Sequence, residues 1–425
     1  MAQVFIYRSS DDTSQPGIHL RCDTQVITGE QQFTTAFGTP TSLERDLLLI
    51  GASIFCADRG IARGEREDFA RIIELSIPIV NIGLLQPLTA DIEDVLRLLS
   101  NDLWRIRFRQ EPGGLEEPTT RSSSDGGVLL FSGGLDSLAA ALEFGAQSDL
   151  ALVSHVTMSQ QTRNTQLALV SLLEELGLTV SHLQFFVSSR GIAGFDHDIE
   201  SSQRTRSFMF LILAALVARR EGRHRILMIA ENGQLAIHLP LNSARIAAFS
   251  THTAHPDVLE IMQRILSKAL SVPFELSNPY VARTKAEVIS RVCVDLPAAI
   301  PVSNSCWRST RLPQGASHCG ECVPCCIRRV AVETYGPDPT QYARDLFQDN
   351  FAAMGPDDEG RRNLADLCEF AKRFEIASDA DLYDEWPELY SANINATSTI
   401  AMYRRAAAET RAVLSRYAGL APALQ

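Results

Sequence analysis

The 425-residue sequence predicts an α/β fold with a parallel sheet at its centre, an α+β unit before it and a helical region after it. Three observations lead to this fold class. Strand-like and helix-like segments alternate from residue 128 to residue 230, a turn rich in glycine and serine follows the first of these strands, and five of the nine cysteines are clustered at 306–326. Regular alternation of strands and helices is typical of a parallel sheet with helices on both faces.

The first unit spans residues 1–110. Its segment 104–108 alternates apolar residues with arginines, which predicts a strand with one face in water. The segment 47–60 is apolar along most of its length and predicts a buried element followed by a turn. Around a helical stretch at residues 90–99, further strands are expected at residues 4–7, 18–20 and 77–80.

A linker separates this unit from the next. Residues 111–127 are rich in proline, glycine, serine and acidic residues, a composition that favours turns and flexible connections. The central domain is expected at residues 128–335 and a helical C-terminal extension at residues 336–425. Within them we expect strands at 128–131, 151–158, 179–187 and 225–230, and helices at 137–144, 164–176, 202–220, 361–374 and 399–417.

The turn after the strand at 128–131 carries the most informative pattern. Two glycines allow the backbone to turn sharply and to bring its amides close to a bulky group, and the first amides of the following helix favour an anion. The alternative is a glycine-rich strand-to-helix turn with a serine cap and no ligand. The ordered pattern favours a phosphate cradle, at the edge of the sheet where α/β folds bind ligands. Its residues are Ser132, Gly133, Gly134, Leu135, Asp136 and Ser137.

The cysteine cluster predicts a metal site. Its spacing is C-x12-C-x2-C-x2-C, and each C-x2-C pair can supply two thiolates to one tetrahedral zinc. Four cysteine ligands leave no open position, so we expect a structural zinc. Two alternatives stay open, namely His318 as a substitute ligand and chance clustering of buried cysteines. The predicted ligands are Cys306, Cys319, Cys322 and Cys325.

The N-terminus has no basic region followed by an apolar core, so no signal peptide is predicted. Clustered cysteines then indicate a metal in a reducing compartment, and we expect a cytoplasmic protein. Cys326 directly follows a ligand and is expected to point elsewhere. The other cysteines are expected in the core, at Cys22, Cys56, Cys293 and Cys368.

Charge and hydropathy exclude two classes of partner. The net charge of −12 disfavours a nucleic-acid backbone as the main partner, although a local basic groove stays open. The longest apolar run, 208–218, is far shorter than the ~20 residues that a membrane span needs. We therefore expect no membrane partner.

The motif S-G-G-x-D-S at 132–137 resembles the PP-loop of ATP pyrophosphatases, which hold the pyrophosphate of ATP and transfer AMP to a substrate. Together with the late cysteines, it makes residues 126–335 similar to the QueC family, the 7-cyano-7-deazaguanine synthases. That family ends its catalytic domain with a C-x(n)-C-G-x-C-x-x-C zinc site, which residues 306–325 match. The resemblance implies a PP-loop domain of the adenine nucleotide alpha hydrolase-like, Rossmann-like fold. It also implies ATP and Mg2+ as cofactors and Zn2+ in the structural site.

Two shorter segments add to the resemblance. RTRSFMFLILAALVA looks like the family's G-R-N-x-x-F helix start, with Arg206 on its arginine. NPYVARTKAEVI resembles a family segment that contains a proline, a lysine and a glutamate, here Pro279, Lys285 and Glu287. The resemblance implies that the nucleotide is bound by residues 132–137 and Glu231. It implies catalytic roles for Asp136, Ser137, Lys285 and Arg206.

Helix chemistry independently indicates the same lysine and arginine. Thr284-Lys285-Ala286-Glu287 is a capping box, which predicts a helix that begins at Lys285 with Thr284 as its cap. A lysine in a first turn is disfavoured by the helix dipole unless an anion lies there, and a phosphate of ATP would supply one. Arg204 and Arg206 open an apolar helix, where a carboxylate or phosphate can bind, and Arg206 is the stronger candidate. For the lysine and the arginines, a solvated position stays open as the alternative.

The chain departs from the family at two places. The family's Tyr-Gly-Gln after the second strand is replaced by HVTMSQQTRN at 155–164, and its Glu-Thr-Asp after the fourth strand becomes Glu231-Asn232-Gly233. Glu231 can contact the ligand or serve as a cap or turn residue. His252 and His255 are loop histidines with either a catalytic role or a turn and surface role. These departures leave the substrate and the attacking nucleophile open.

The resemblance implies an AMP-forming, carbon–nitrogen bond-forming ligase. It would adenylate 7-carboxy-7-deazaguanine or a similar carboxylate and pass it to a nitrogen nucleophile. The enlarged layout resembles the QueC-like proteins of the Qat and CBASS antiphage systems, which implies a protein amine from the same operon as acceptor. Three alternatives stay open: a stand-alone synthase that uses ammonia, a tRNA-modifying PP-loop enzyme, and a non-catalytic nucleotide-binding scaffold. A homodimer is also compatible with the sequence.

Overall fold

The computed structural model describes most of the chain. The described residues are 1–8, 14, 16–22, 24–64, 70–114, 126–156, 158–189, 200, 202–223, 226–241, 252–308 and 312–424. Most of the predicted linker at 111–127 lies outside them. No helix among the described residues is long and apolar enough to cross a membrane.

The N-terminal elements are, in order, β1 (Ala2–Tyr7), β2 (Ile18–Arg21), β3 (Val26–Thr28), α1 (Glu30–Phe37), α2 (Ser42–Gly60), β4 (Ile72–Ile79), α3 (Ile82–Leu85), α4 (Thr89–Ser100) and β5 (Leu103–Gln110). Four of the strands form a parallel sheet in the order β2-β1-β4-β5. As predicted, β5 buries its aromatic and isoleucine side chains on one face; on the other face Arg105 and Arg107 are exposed and Arg109 is half-buried.

The apolar segment 47–60 is part of one long helix, α2, and contains no turn. A capping box at Thr41 starts this helix, because the Thr41 side chain accepts from the amide of Glu44 and the Glu44 carboxylate accepts from the amide of Thr41. The helix is buried on almost every side, which explains why its sequence lacks the polar stripe that would have indicated a surface helix.

The central elements follow, as β6 (Val128–Leu130), α5 (Leu135–Gly145), β7 (Leu150–Val156), α6 (Gln160–Glu175), β8 (Val180–Ser189), α7 (Arg206–Glu221), β9 (Ile226–Met228), α8 (Gly233–Ile237), α9 (Pro256–Leu270), β10 (Glu275–Ser277), α10 (Lys285–Asp295) and α11 (Val323–Glu333). Their five strands and β3 form a six-stranded sheet in the order β10-β9-β6-β7-β8-β3. Its strands are parallel except for β3, so the predicted parallel α/β core is confirmed.

Helix starts are where the sequence predictions are least accurate. Helix α5 begins at Leu135 and not at Ser137, which places Asp136 and Ser137 inside its first turn. The helix predicted at 202–220 begins only at Arg206. The helix predicted from Lys285 with Thr284 as its cap is confirmed, with both hydrogen bonds of the capping box present.

The N-terminal segment shares its core with the central domain. Strand β3 pairs antiparallel with β8 and becomes the edge strand of the central sheet. Helix α2 packs against α7, whose residues 208–218 are all at most 6% exposed. The contact is close at Gly51, where a Cβ atom would lie 3.3 Å from Ile212 Cδ1.

The C-terminal region is helical, as predicted, with α12 (Glu359–Ile376), α13 (Asp379–Glu385) and α14 (Ala396–Leu414). Helices α12 and α14 pack together, and an aromatic cluster joins them at Phe374, Trp386 and Tyr403. Helix α14 also lies against α8, α10 and α11 of the central domain.

Candidate active site

The glycine-rich loop connects the carboxyl end of β6 to the first turn of α5. Gly133 has φ of 86°, a left-handed conformation that favours glycine, and its carbonyl accepts from the amide of Asn304 at 2.9 Å. The hydroxyls of Ser132 and Ser137 lie 3.3 Å apart. The first amide of α5 with a helical partner is that of Leu138, so the earlier amides are available to an anion. The loop therefore leaves amides available where the phosphate cradle is predicted, and the cradle itself stays a prediction.

Asp136 and Lys285 form a buried ion pair at this loop. Lys285 Nζ lies 2.7 Å from Asp136 Oδ1, and the two side chains are 6% and 10% exposed. Asp136 Oδ2 accepts from the side-chain and backbone amides of Asn232, at 2.8 and 3.2 Å. The anion beside Lys285 is thus Asp136 itself. The presence of this lysine in a first turn therefore no longer requires a phosphate there.

Helix α14 of the C-terminal extension contacts the residues that flank Lys285. Thr284, the cap of α10, donates its hydroxyl to Glu409 Oε1 at 2.8 Å, and Arg405 donates to Glu287, the other member of the capping box. Burial raises the pKa of Glu409 to about 7. The C-terminal extension therefore fixes the start of the helix that carries the lysine.

Glu231 follows β9 and lies in the electrostatic field of the same pair. Its Oε2 is buried without a hydrogen-bond partner in the described part of the chain. Burial, and then the negative charge of Asp136, raise the pKa of Glu231 to about 8, against the opposing influence of Lys285. An orphaned carboxyl oxygen beside a cation and a phosphate-type loop is suited to a ligand contact, as the resemblance implies.

Glu231→Gln should stabilise the protein at high pH. The folded state keeps a proton on this carboxyl that the unfolded state, with a pKa near 4.5, has already lost. The contribution of Glu231 to stability therefore falls as pH rises from about 4.5 to about 8, and the penalty is complete above that window. Thermal unfolding should show a larger gain for the variant at pH 9 than at pH 5. Glu175→Gln, on the exposed surface of α6, is the control, and equal gains at both pH values would contradict the assignment.

Arg206 begins α7 and lies against the end of β7. Its Nε donates to His155 Nδ1 at 3.1 Å, and His155 Nε2 donates in turn to the carbonyl of Val187 at 2.8 Å. Burial and the nearby arginine lower the pKa of His155 to about 3, so this histidine is neutral and acts as an acceptor. In the described residues no carboxylate pairs with Arg206, whose pKa burial lowers only to about 10. The result is a partly buried cation with capacity for an anionic ligand.

The N-terminal segment holds this arginine in place, which the sequence did not reveal. Asp58, in α2, accepts from the amide and the hydroxyl of Thr205, each at 3.0 Å, directly before α7. Arg71 pairs with the other oxygen of Asp58 and with Asp102. Phe55, also in α2, packs edge-on against His155 at 5.3 Å between ring centroids. The sequence offered no signal for this contact, because threonine is an ordinary helix cap, and only the structure shows that the Thr205 hydroxyl donates to Asp58 and does not cap α7.

The two loop histidines occupy different positions. His255 caps α9, because its Nδ1 accepts from the amide of Asp257 at 3.2 Å, which agrees with the turn role. His252 lies between His255 and His238, and burial lowers its pKa to about 3. It is therefore neutral at pH 7.

The four predicted zinc ligands converge. The Sγ atoms of Cys306, Cys319, Cys322 and Cys325 lie within 4.8 Å of one another and are buried. Two of the Sγ pairs are separated by 3.8 and 3.4 Å, near the ~3.8 Å that tetrahedral zinc with Zn–S bonds of ~2.3 Å requires. The donor set fits structural zinc, and His318 is excluded from it by its bonds to Ser305 and Ser317.

The remaining cysteines agree with their predicted places except for one. Cys326 points into a separate apolar cluster, and Cys22, Cys56 and Cys368 are buried. Cys293 is only half-buried. The zinc site also supports the loop through Asn304. The side-chain oxygen of Asn304 accepts from the backbone amide of Cys306, and the backbone amide of Asn304 donates to the carbonyl of Gly133.

Cys322→Ser should lower the zinc content below one ion per chain and reduce the yield of folded protein. Three thiolates bind zinc more weakly than four, and for a structural site the binding free energy contributes to folding. Metal analysis and circular dichroism measure the two effects. Cys293→Ser, outside the cluster, should change neither. Well-folded parent protein without zinc would refute the assignment.

Comparison with known proteins gives one informative match. Residues 126–336 match the family model described as QueC, "Queuosine biosynthesis protein QueC". No curated protein matches the chain. A solved structure described as "Crystal structure of a ketoreductase domain from the bacillaene assembly line" is matched at 10% identity. The match covers 64% of this chain and 67% of the ketoreductase chain. Its TM-score of 0.19 supports neither a fold nor a function.

The match and the geometry agree on the same part of the chain. The matched segment contains the loop at 132–137, Arg206, Lys285 and the four converging cysteines. Residues 126–336 are therefore a QueC-like segment, similar to a family of ATP-using PP-loop synthases.

Proposed function

We propose that the protein is an AMP-forming enzyme that activates a carboxylate with ATP. A carboxylate oxygen of the substrate attacks the α-phosphorus of ATP, the bond to the β,γ-pyrophosphate breaks, and an acyl-adenylate forms. A nitrogen nucleophile then displaces AMP and forms a carbon–nitrogen bond. The observation that carries this proposal is the S-G-G-x-D-S loop of a QueC-like segment at the carboxyl edge of its parallel sheet, with Lys285 beside it.

The loop supplies the binding site for the leaving group. The hydroxyls of Ser132 and Ser137 lie close together at the first turn of α5, where the free amides and the helix dipole favour a pyrophosphate. Lys285 neutralises the charge of Asp136, which would otherwise repel the phosphates. Positioning and charge neutralisation of this kind provide most of the rate enhancement in phosphoryl-type transfers. Mg2+, when bound, would neutralise further phosphate charge, and Asp136 and Glu231 would hold it.

Arg206 is the candidate for binding the carboxylate substrate. It is the first residue of α7, it is oriented by His155, and no described carboxylate neutralises it. A guanidinium can bind a carboxylate through two parallel hydrogen bonds. His155, which accepts from Nε, leaves the two terminal nitrogens of the guanidinium for this contact.

The family resemblance supports a deazaguanine carboxylate as substrate, and 7-carboxy-7-deazaguanine is the compound we propose. We also propose a protein amine, encoded near this gene, as acceptor in antiphage defence. The enlarged layout supports this acceptor, since the chain has more than 100 residues before the QueC-like segment and nearly 90 after it. The stand-alone alternative would use ammonia and release a nitrile.

Pyrophosphate release tests the proposal. Purified full-length protein with ATP, Mg2+ and 7-carboxy-7-deazaguanine should release pyrophosphate and AMP, and omission of the carboxylate should reduce the rate. Ser137→Ala removes a hydroxyl of the loop and should slow the reaction about 100-fold, within the range for loss of one charge-stabilising donor. Ser148→Ala, just beyond the opposite end of α5, is the matched control. ATP binding without carboxylate-stimulated release would favour a non-catalytic scaffold.

A further inference from the structure

The N-terminal sheet has one buried face and one open face. Strands β1, β4 and β5 bury their apolar side chains against the core, whereas the other face lines a concave volume of about 510 Å³. Parallel sheets are normally covered on both faces. In the described part of the chain this face is open to solvent, with the Arg105 and Arg107 side chains 61% and 71% exposed.

Aromatic side chains occupy one half of this face. The register places Phe5 beside His19, and their rings are stacked at 5.2 Å between centroids and 17° between planes. The ring of Tyr7 meets His19 edge-on at 6.0 Å. These three residues, the aromatic platform, lie on strands β1 and β2 and are neither fully buried nor fully exposed. Rings held on a sheet surface are available for stacking with a planar ligand.

Arginines occupy the other half. Strand β5 places Arg105, Arg107 and Arg109 on this face, at successive spacings of ~6.7 Å along the strand. Strand β2 adds Arg21 on the far side of the aromatic platform. The paired strands contribute a single acidic residue to this face, Glu74. Its Oε1 lies 3.1 Å from Arg105 Nη1 and 4.0 Å from Arg107 Nη2. A chain with net charge −12 thus presents one positively charged, concave face.

We propose that this face binds single-stranded nucleic acid. Bases would stack on the aromatic platform, while their phosphates would face the arginines of β5. Stacking platforms combined with a positive groove are the general means of binding single strands, and four-stranded sheets with exposed rings are used in this way for RNA.

The charge distribution sets the expected behaviour. Because the whole protein is acidic, binding to this face rests on its local positive charge, and affinity should depend on salt. Each phosphate contact on a single strand contributes a slope of about −0.7 to log K against log salt concentration. Two to four engaged arginines therefore predict a slope of about −1.5 to −3. Duplex of the same length should bind more weakly, since its bases are not available for stacking.

Fluorescence anisotropy with the full-length protein tests this inference. The probes are labelled oligo-U and oligo-dT of about 10 nucleotides, and a duplex of equal length, in 50 mM salt. Arg107→Glu should weaken single-strand binding at least tenfold and reduce the salt slope. Phe5→Leu keeps the apolar volume but removes the ring, and should weaken binding about fivefold or more. Circular dichroism verifies that each variant is folded.

Arg97→Glu is the matched control. Arg97 is an exposed arginine at the end of α4, with a weak ion pair to Asp94 at 3.8 Å, and it lies outside the open face. It should leave binding unchanged. Absence of binding by either single strand at 50 mM salt, equal losses in Arg97→Glu and Arg107→Glu, or stronger binding of the duplex would overturn the inference. Pyrophosphate release should be unaffected by Arg107→Glu, so this outcome is independent of the proposed activity.

Discussion

Lys285→Met should lower the free energy of unfolding by about 3–5 kcal/mol and abolish pyrophosphate release. The substitution leaves the buried carboxylate of Asp136 with only the amide bonds from Asn232, and an uncompensated charge in a buried position is strongly destabilising. Catalysis is lost for a separate reason. Lys285 is the only cation among the described residues that contacts Asp136, and the variant removes this positive charge from the phosphate loop. Chemical denaturation and a pyrophosphate assay measure the two effects.

A double variant separates stability from chemistry. Asp136→Asn combined with Lys285→Met removes both charges and should recover most of the lost stability, but it should not recover activity. Arg291→Met, which removes one partner of the exposed pair with Asp295 on the same helix, should cost less than about 0.5 kcal/mol. Activity in the folded double variant would refute the role given to this pair.

Asp58→Asn should destabilise the protein by about 3 kcal/mol and raise the KM for the carboxylate substrate about tenfold. Both carboxylate oxygens of Asp58 accept hydrogen bonds, one from Thr205 and the other from Arg71. An asparagine has only one side-chain oxygen, and its NH2 group would face a donor. Thr205, the residue directly before α7, would lose its anchor, and Arg206 would move with it. Asp58 is a positioning residue, so the expected signature is a KM effect larger than the kcat effect.

Asp91→Asn is the control for this variant. Asp91 joins α4 of the N-terminal segment to Arg264 of α9 and has no bond to α7. It should alter neither KM nor kcat. If Asp58→Asn reduced kcat alone, with KM unchanged, the positioning role would be wrong.

Much of the site could be predicted from sequence because its residues are close to one another in the chain. The glycine-rich loop, the capping box at Thr284 and the C-x2-C-x2-C run are local patterns with local physical causes. The link between Asp136 and Lys285 was not predictable in this way, since 149 residues separate them. The phosphate expected beside Lys285 was inferred from α10 alone. The actual neighbour is Asp136, which belongs to α5.

The contribution of the N-terminal segment could not be predicted either. Strand β3 has three residues and Asp58 is one acid in a helix, so neither differs locally from many other segments. Their importance arises from contacts with β8 and Thr205, which only the tertiary fold brings together. The open face of the N-terminal sheet was partly visible as the alternation in β5, but its aromatic half required the register of β1 with β2.

The central claim is that a carboxylate attacks the α-phosphorus of ATP, and oxygen transfer tests it most directly. The full-length protein is incubated with ATP, Mg2+, ammonia or the acceptor, and 7-carboxy-7-deazaguanine whose carboxylate oxygens are 18O. Mass spectrometry of the AMP should then show one 18O atom, because the oxygen that joins the acyl group to phosphorus leaves with AMP. AMP without 18O, formed in the same reaction, would show that water or another group attacks ATP and would contradict the account.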